Sequence, residues 1–246
     1  MNIVDVASDA RRMFDVIAKG GVGLAPADTG YGLVAASPDA ADLVFKTKKR
    51  GSHKRNAIIA NLETQRELLK LDSKAQNIVD TLVEHFDLPI GVLGEYDPEH
   101  PLLETFSAND DMRRKSTAAS KLAMLVNAGP IHRELCKLSR EYHVPIFGSS
   151  ANLTGTGARF RIEDVQPEIR AIVDIEIDYG LAKYDQYKRS GTIIDFSTME
   201  VIRMGARYDQ IKDICKRMFD VDLPADPGVD VNESGHLDEF RLVGVE

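Results

Sequence analysis

Strand-length apolar runs alternate with amphipathic helical segments along most of this chain, and that alternation restricts its fold more than any other feature. A chain patterned in this way buries its strands in one sheet and covers them with the intervening helices, which is an α/β architecture. The strand-length runs lie at 22–26 (VGLAP), 31–36 (YGLVAA), 56–61 (NAIIAN), 89–94 (PIGVLG), 121–127 (KLAMLVN), 144–150 (VPIFGSS), 171–177 (AIVDIEI) and 192–196 (TIIDF), with 201–204 (VIRM) as the hairpin partner of the last. Helical spacing covers 8–19, 39–48, 63–70, 73–85, 130–143 and 207–219. Ser8 is placed to cap the first helix, and Gly20 and Gly21 to end it. The polar stretch 95–120 has no clear periodicity and is read as a mobile loop, with a lid as one role open to it. No linker-like segment divides the core. One domain is expected over 1–210, followed at 211–246 by the end of the last helix and an acidic, loosely ordered tail.

Composition matters here for what it excludes. The formal net charge is −8, opposite in sign to the footprint of a general nucleic-acid binder. The two cysteines, Cys136 and Cys215, are far apart and form no CxxC pair, as expected of reduced thiols in a cytoplasmic protein. The six histidines are scattered, with no HxxxH or HExxH pair to build a metal site. No apolar run approaches the roughly 20 residues needed to span a bilayer, and the first residues carry no signal-peptide pattern, so no membrane contact is expected. GxxxxGK[ST], GxGxxG and GxSxG motifs are all absent, which removes the commonest nucleotide folds and the nucleophile elbow.

Four segments carry polar chemistry at places where a sheet edge is expected. Pro26-Ala27-Asp28-Thr29-Gly30-Tyr31-Gly32-Leu33 joins two short strands; on spacing alone it is a hairpin turn. Lys46, Lys48, Lys49, Arg50, Lys54 and Arg55 place six cations within ten residues of an otherwise acidic chain. A helix C-terminus favours such cations electrostatically, and a phosphate clamp is the functional counterpart. Phe147-Gly148-Ser149-Ser150-Ala151-Asn152-Leu153-Thr154-Gly155 ends a buried strand in hydroxyl and amide side chains, a capping turn or a nucleotide contact. Ser190-Gly191-Thr192-Ile193-Ile194-Asp195, with Arg203-Met204-Gly205-Ala206, reads as a hairpin.

In this order the four segments resemble the YrdC-like family of threonylcarbamoyl-AMP synthases, here as PADTGYGL, KTKKR, SSANLTG and SGTIIDF…IRMGA. The resemblance runs from about residue 8 to about residue 210. It implies a twisted mixed β-sheet with helices on its outer faces around a concave, positively charged cavity. It implies a nucleotidyltransferase that joins ATP, bicarbonate and threonine, with Mg2+ accompanying the nucleotide, in the pathway to tRNA threonylcarbamoyladenosine. By the same resemblance Lys46, Lys48, Arg50 and Arg203 hold phosphates, and Ser150 and Asn152 orient nucleotide and carbamate. Lys48, Arg50, Ser150 and Asn152 form the catalytic set, while Thr29, Tyr31 and Thr192 lie near the amino acid. Partners implied are the small substrates, tRNA-modification proteins and RNA. Ala27 stands where the family turn carries its first threonine, Gly30 where a bulky aliphatic residue is usual, and Gly191 where serine is usual. These departures fall on the amino-acid side. They keep two alternatives in view: a divergent ATP-dependent enzyme with another amine or carbamate acceptor, and a non-catalytic nucleotide- or RNA-binding module.

Overall fold

The computed structural model describes residues 4–49, 56–104, 109, 113, 116–118, 120–230 and 236. Its helices are α1 (Val6–Ile17), α2 (Pro38–Thr47), α3 (Leu62–Leu68), α4 (Ser73–Asp80), α5 (Pro130–Tyr142), α6 (Pro167–Arg170) and α7 (Tyr208–Phe219). Its strands are β1 (Val22–Ala27), β2 (Gly30–Ala35), β3 (Ala57–Ala60), β4 (Ile90–Glu95), β5 (Thr117–Ala118), β6 (Lys121–Val126), β7 (Phe147–Ser150), β8 (Ile175–Glu176), β9 (Ile193–Asp195) and β10 (Glu200–Arg203). They form one mixed sheet in the order β10-β9-β4-β6-β3-β7-β2-β1-β8, with β5 hydrogen-bonded to β6.

Local chemistry sets the helix starts. Ser37 accepts from the Ala40 amide at 3.2 Å with Pro38 behind it, Asn61 accepts from Thr64 at 2.9 Å and Asp72 from Ala75 at 2.8 Å. The first helix begins earlier than its sequence pattern indicates. Asp5, not Ser8, is the cap, and its carboxylate accepts from the Ser8 amide at 3.0 Å.

The two faces of the sheet are covered unequally. On one face Leu24, Leu33, Ile58, Met124, Val92 and Ile194 pack with buried residues of α2, α3, α4 and α7 into the main core. On the other, Ala25, Val34 and Ile59 pack under α1 and α5, through Met13, Phe14, Ile17, Ile131 and Leu135. Those two helices contact β1 and β3. The same face carries a recess bordered by Ile131 and Leu135 of α5.

Two segments differ from their sequence pattern. The run 171–177 is mostly not strand. Pro167 starts α6 instead, and Asp174 brackets Val22 by donating its amide to the Val22 carbonyl and accepting the Val22 amide, each at 2.8 Å. Only Ile175–Glu176 remain to pair with β1. The helical stretch 73–85 ends in a π turn over Thr81–His85. In the final tail Leu223 is buried and the Tyr208 hydroxyl donates to the Pro224 carbonyl at 2.7 Å, while most of the described residues around them are exposed.

Candidate functional site

That recessed face of the sheet forms the floor of a cavity of about 360 Å³. Strand register builds it in rows whose side chains share a face. Ile193, Gly91, Leu125 and Ile59 make one row across β9, β4, β6 and β3. Val34, Gly148 and Ala57 make a second, and Ala25, Gly32 and Ser150 a third. Gly91, Gly148 and Gly32 inside the rows keep the floor low there, so a ligand can approach the strands closely.

The rim comes from turns far apart in sequence. Thr29, Lys48, Ser149, Ser150, Asn152, Ser190 and Arg203 all line the cavity. Lys48 caps the C-terminus of α2 and is 3% exposed. Its ammonium donates to the Ser150 carbonyl and lies 3.3 Å from the Ser150 hydroxyl. The Thr154 amide returns a bond to the Lys48 carbonyl at 3.1 Å, so helix end and serine turn are tied together. Asn152 donates its amide nitrogen to the Leu153 carbonyl at 2.6 Å. Its Oδ1 is buried and accepts nothing from the protein among the described residues. A buried amide oxygen in this position has the capacity to accept an N–H or O–H. Arg203 is held by donating Nε–H to the Gly191 carbonyl at 2.8 Å.

Of the other residues singled out by the sequence, Tyr31 also lines the cavity, while Lys46 and Thr192 do not. Lys46 does not line the cavity; it projects from α2, 75% exposed, and pairs with Asp42 one turn earlier at 2.6 Å. Arg50 lies outside the described residues. The Tyr31 ring is buried, and its hydroxyl donates to Asp178 at 2.5 Å and accepts from the Tyr179 amide at 3.2 Å. Burial and the Asp178 carboxylate push that phenol above its ordinary range. The Thr192 hydroxyl donates to the Ala206 carbonyl at 3.2 Å and accepts from the Gly205 amide at 3.1 Å, away from the cavity. Tyr31 and Thr192 thus spend their hydroxyls on the fold.

Residues not anticipated complete the lining: Lys188, Arg189, His132 and His236. The first two sit immediately before Ser190, where the basic pair could have been read as part of the hairpin motif. His132 gave no signal beyond a polar residue on a helix that becomes buried.

His132 is satisfied as a neutral ring. Nε2–H donates to the Leu125 carbonyl at 3.0 Å, and Nδ1 faces the Ala128 amide at 3.4 Å. Burial pushes its pKa down from the ordinary 6.5 to about 4. The unfolded chain takes up a proton at this ring below pH 6.5 and the native protein does not, so stability falls as pH drops through this window toward 4. The loss expected from His132 at pH 4.5 is about 2 kcal/mol. Urea unfolding of wild type and His132→Gln at pH 7 and pH 4.5 measures it, and equal losses in both proteins would remove His132 as the cause.

A mixed sheet with helices on both faces, and a recess on one face rimmed by lysine, arginine, serine and asparagine, defines the protein as an α/β fold with a single-face cavity. The Sua5/YciO/YrdC family model, described as telomere recombination, matches residues 15–205, and the chain belongs to that family. Its fold is similar to that of the hypothetical protein smu.1377c from Streptococcus mutans UA159, at TM-score 0.72 and 18% identity over 86% of this chain and 92% of that one. It is similar to P. abyssi Sua5 complexed with L-threonine, at TM-score 0.67 and 19% identity over 91% of this chain and 61% of that one. E. coli YciO matches at TM-score 0.62 and 19% identity over 83% of this chain and 92% of that one. No curated protein sequence matches it. Among the described residues no helix is long and apolar enough to cross a membrane.

Proposed function

We propose that the protein is a nucleotidyltransferase of the threonylcarbamoyl-AMP synthase type, forming a carbamoyl-adenylate from ATP, bicarbonate and threonine. The observation that carries this reading is the convergence of Thr29, Lys48, Ser150, Asn152 and Arg203, from four separate segments, on one cavity. In the reaction, the threonine amine and bicarbonate give a carbamate with loss of water. A carbamate oxygen attacks the α-phosphorus of ATP, and the bond to pyrophosphate breaks.

Little covalent help is needed from side chains in such a step. Positioning and charge stabilisation dominate. Lys48 and Arg203 supply fixed cations for phosphate oxygens, and Asn152 Oδ1 accepts from an N–H or O–H of nucleotide or carbamate. Among the described residues no carboxylate lines the cavity, and no trio of His, Cys, Asp or Glu is placed to hold a metal ion. The donor set therefore suits Mg2+ arriving on the nucleotide's own phosphates, with no protein cage. Magnesium there would neutralise phosphate charge. The product would pass to proteins that load it onto tRNA.

The test is pyrophosphate release from ATP and bicarbonate, with threonine, with each other amino acid, and with no amine. Threonine-dependent release is expected, and equal release without amine would sink the reading. A second reading is favoured by one observation: the Tyr31 and Thr192 hydroxyls are committed to protein partners, and Ala27 has none. On that reading the same chemistry acts on another amine. Turnover with a different amine and not with threonine would establish it. ATP binding with no turnover would leave a nucleotide-binding module.

A further inference from the structure

We propose that Arg189 is a further anion-contact residue of this cavity, directed at the phosphate chain of the nucleotide, and that Asp226 is its positioning residue. The inference rests on the use of the cavity by ATP. Arg189 lines the recess and is 5% exposed. A guanidinium so deeply set needs an opposite charge. That charge comes from the segment after α7, where Arg189 Nη1 donates to Asp226 Oδ2 at 2.6 Å.

Asp226 is itself fixed. Its Oδ1 accepts from the Gly228 amide at 2.9 Å, and the segment is anchored by buried Leu223 and by the Tyr208 bond to Pro224. This contact lies beyond the family match, which ends at residue 205. A carboxylate gripping one end of a planar fork sets the plane of the rest. Arg203 and Lys188 also line the cavity; Arg203 Nη2 lies 3.4 Å from Ser190 Oγ, and Lys188 pairs with Asp185 at 3.3 Å. Arg189, Arg203 and the buried Lys48 match a ligand carrying several negative charges better than the single carboxylate of an amino acid.

The test is calorimetric binding of ATP, inorganic pyrophosphate and AMP to the full chain. Arg189→Gln should weaken ATP and pyrophosphate about thirtyfold and AMP less than about threefold. Asp226→Ala should weaken ATP about fivefold, and Asp226→Glu should restore most of it. The double variant Arg189→Gln/Asp226→Asn removes both charges together, so it reports on ATP even where the single variant folds poorly. Unchanged ATP affinity in the double variant overturns the proposal, as does an equal loss for AMP or no rescue by glutamate. Wild-type protein that binds none of the three ligands sinks the nucleotide reading and this inference with it. Wild-type binding with unaffected variants sinks the inference alone.

Discussion

Gly205→Ala is expected to destabilise the protein by at least about 4 kcal/mol, enough to abolish cooperative folding in a domain of ordinary stability. A Cβ at Gly205 would stand 2.2 Å from the Ser190 carbonyl oxygen, 2.4 Å from the Gly191 carbonyl carbon and 2.4 Å from the Thr192 nitrogen. All three are backbone atoms, so no rotamer change can relieve the contact. The neighbouring bonds hold both segments in place: Ala206 donates to the Ser190 carbonyl at 2.8 Å, and Gly205 to the Thr192 hydroxyl at 3.1 Å. This crossing also fixes the wall that carries Arg203 and Ser190. Gly155→Ala is the control. Gly155 has φ +83° with nothing within 4 Å of the added carbon, so its cost is backbone strain alone, about 1 kcal/mol. Urea unfolding of the two variants separates them. A Gly205→Ala protein unfolding at the wild-type midpoint would mean that the two segments do not cross at this distance.

Lys48→Met is expected to weaken ATP binding about a hundredfold while leaving the urea midpoint close to wild type. The methionine keeps most of the lysine stem, so packing around this buried position is retained. Removal of the ammonium takes away a cation set against the Ser150 turn at the rim, where phosphate charge must be met. The lost bond to the Ser150 carbonyl is offset in part by no longer burying a charge. Lys46→Met, two residues earlier, should change affinity by less than about twofold, because that side chain is exposed, paired with Asp42 and outside the cavity. Equal effects at the two positions would mean that bulk positive charge, and not a placed cation, attracts the nucleotide. An unaffected Lys48→Met protein would remove Lys48 from the site.

Much of this architecture was legible in residue patterns, because the strands are short, apolar and bounded by glycine, proline or polar turns. The four polar segments did converge on one recess. What pattern could not supply was direction. Lys46 and Lys48 look alike in sequence, yet only one turns inward at the helix end. Tyr31 and Thr192 stand in motif positions, but their hydroxyls are taken by Asp178 and by the Ala206 carbonyl. Those partners lie 147 and 14 residues away, and no local rule anticipates them. The stretch 171–177 failed because Pro167 and Asp174 impose a helix and a backbone bracket on residues that are otherwise good strand formers. The charged tail concealed Asp226, which composition alone assigned to solvent.

The floor of the cavity has a kinetic consequence. It is made of the central strands β3, β6 and β7, which are hydrogen-bonded on both sides, and such amides open only with the whole molecule. The rim is made of turns and helix ends, which open locally and often. On the proposed reading, ligand entry and exit are expected to follow rim motion, independent of global unfolding. Substitutions on the opposite helical layer, in α3 or α4, will lower the amount of folded protein without changing how fast that protein takes up or releases its ligand.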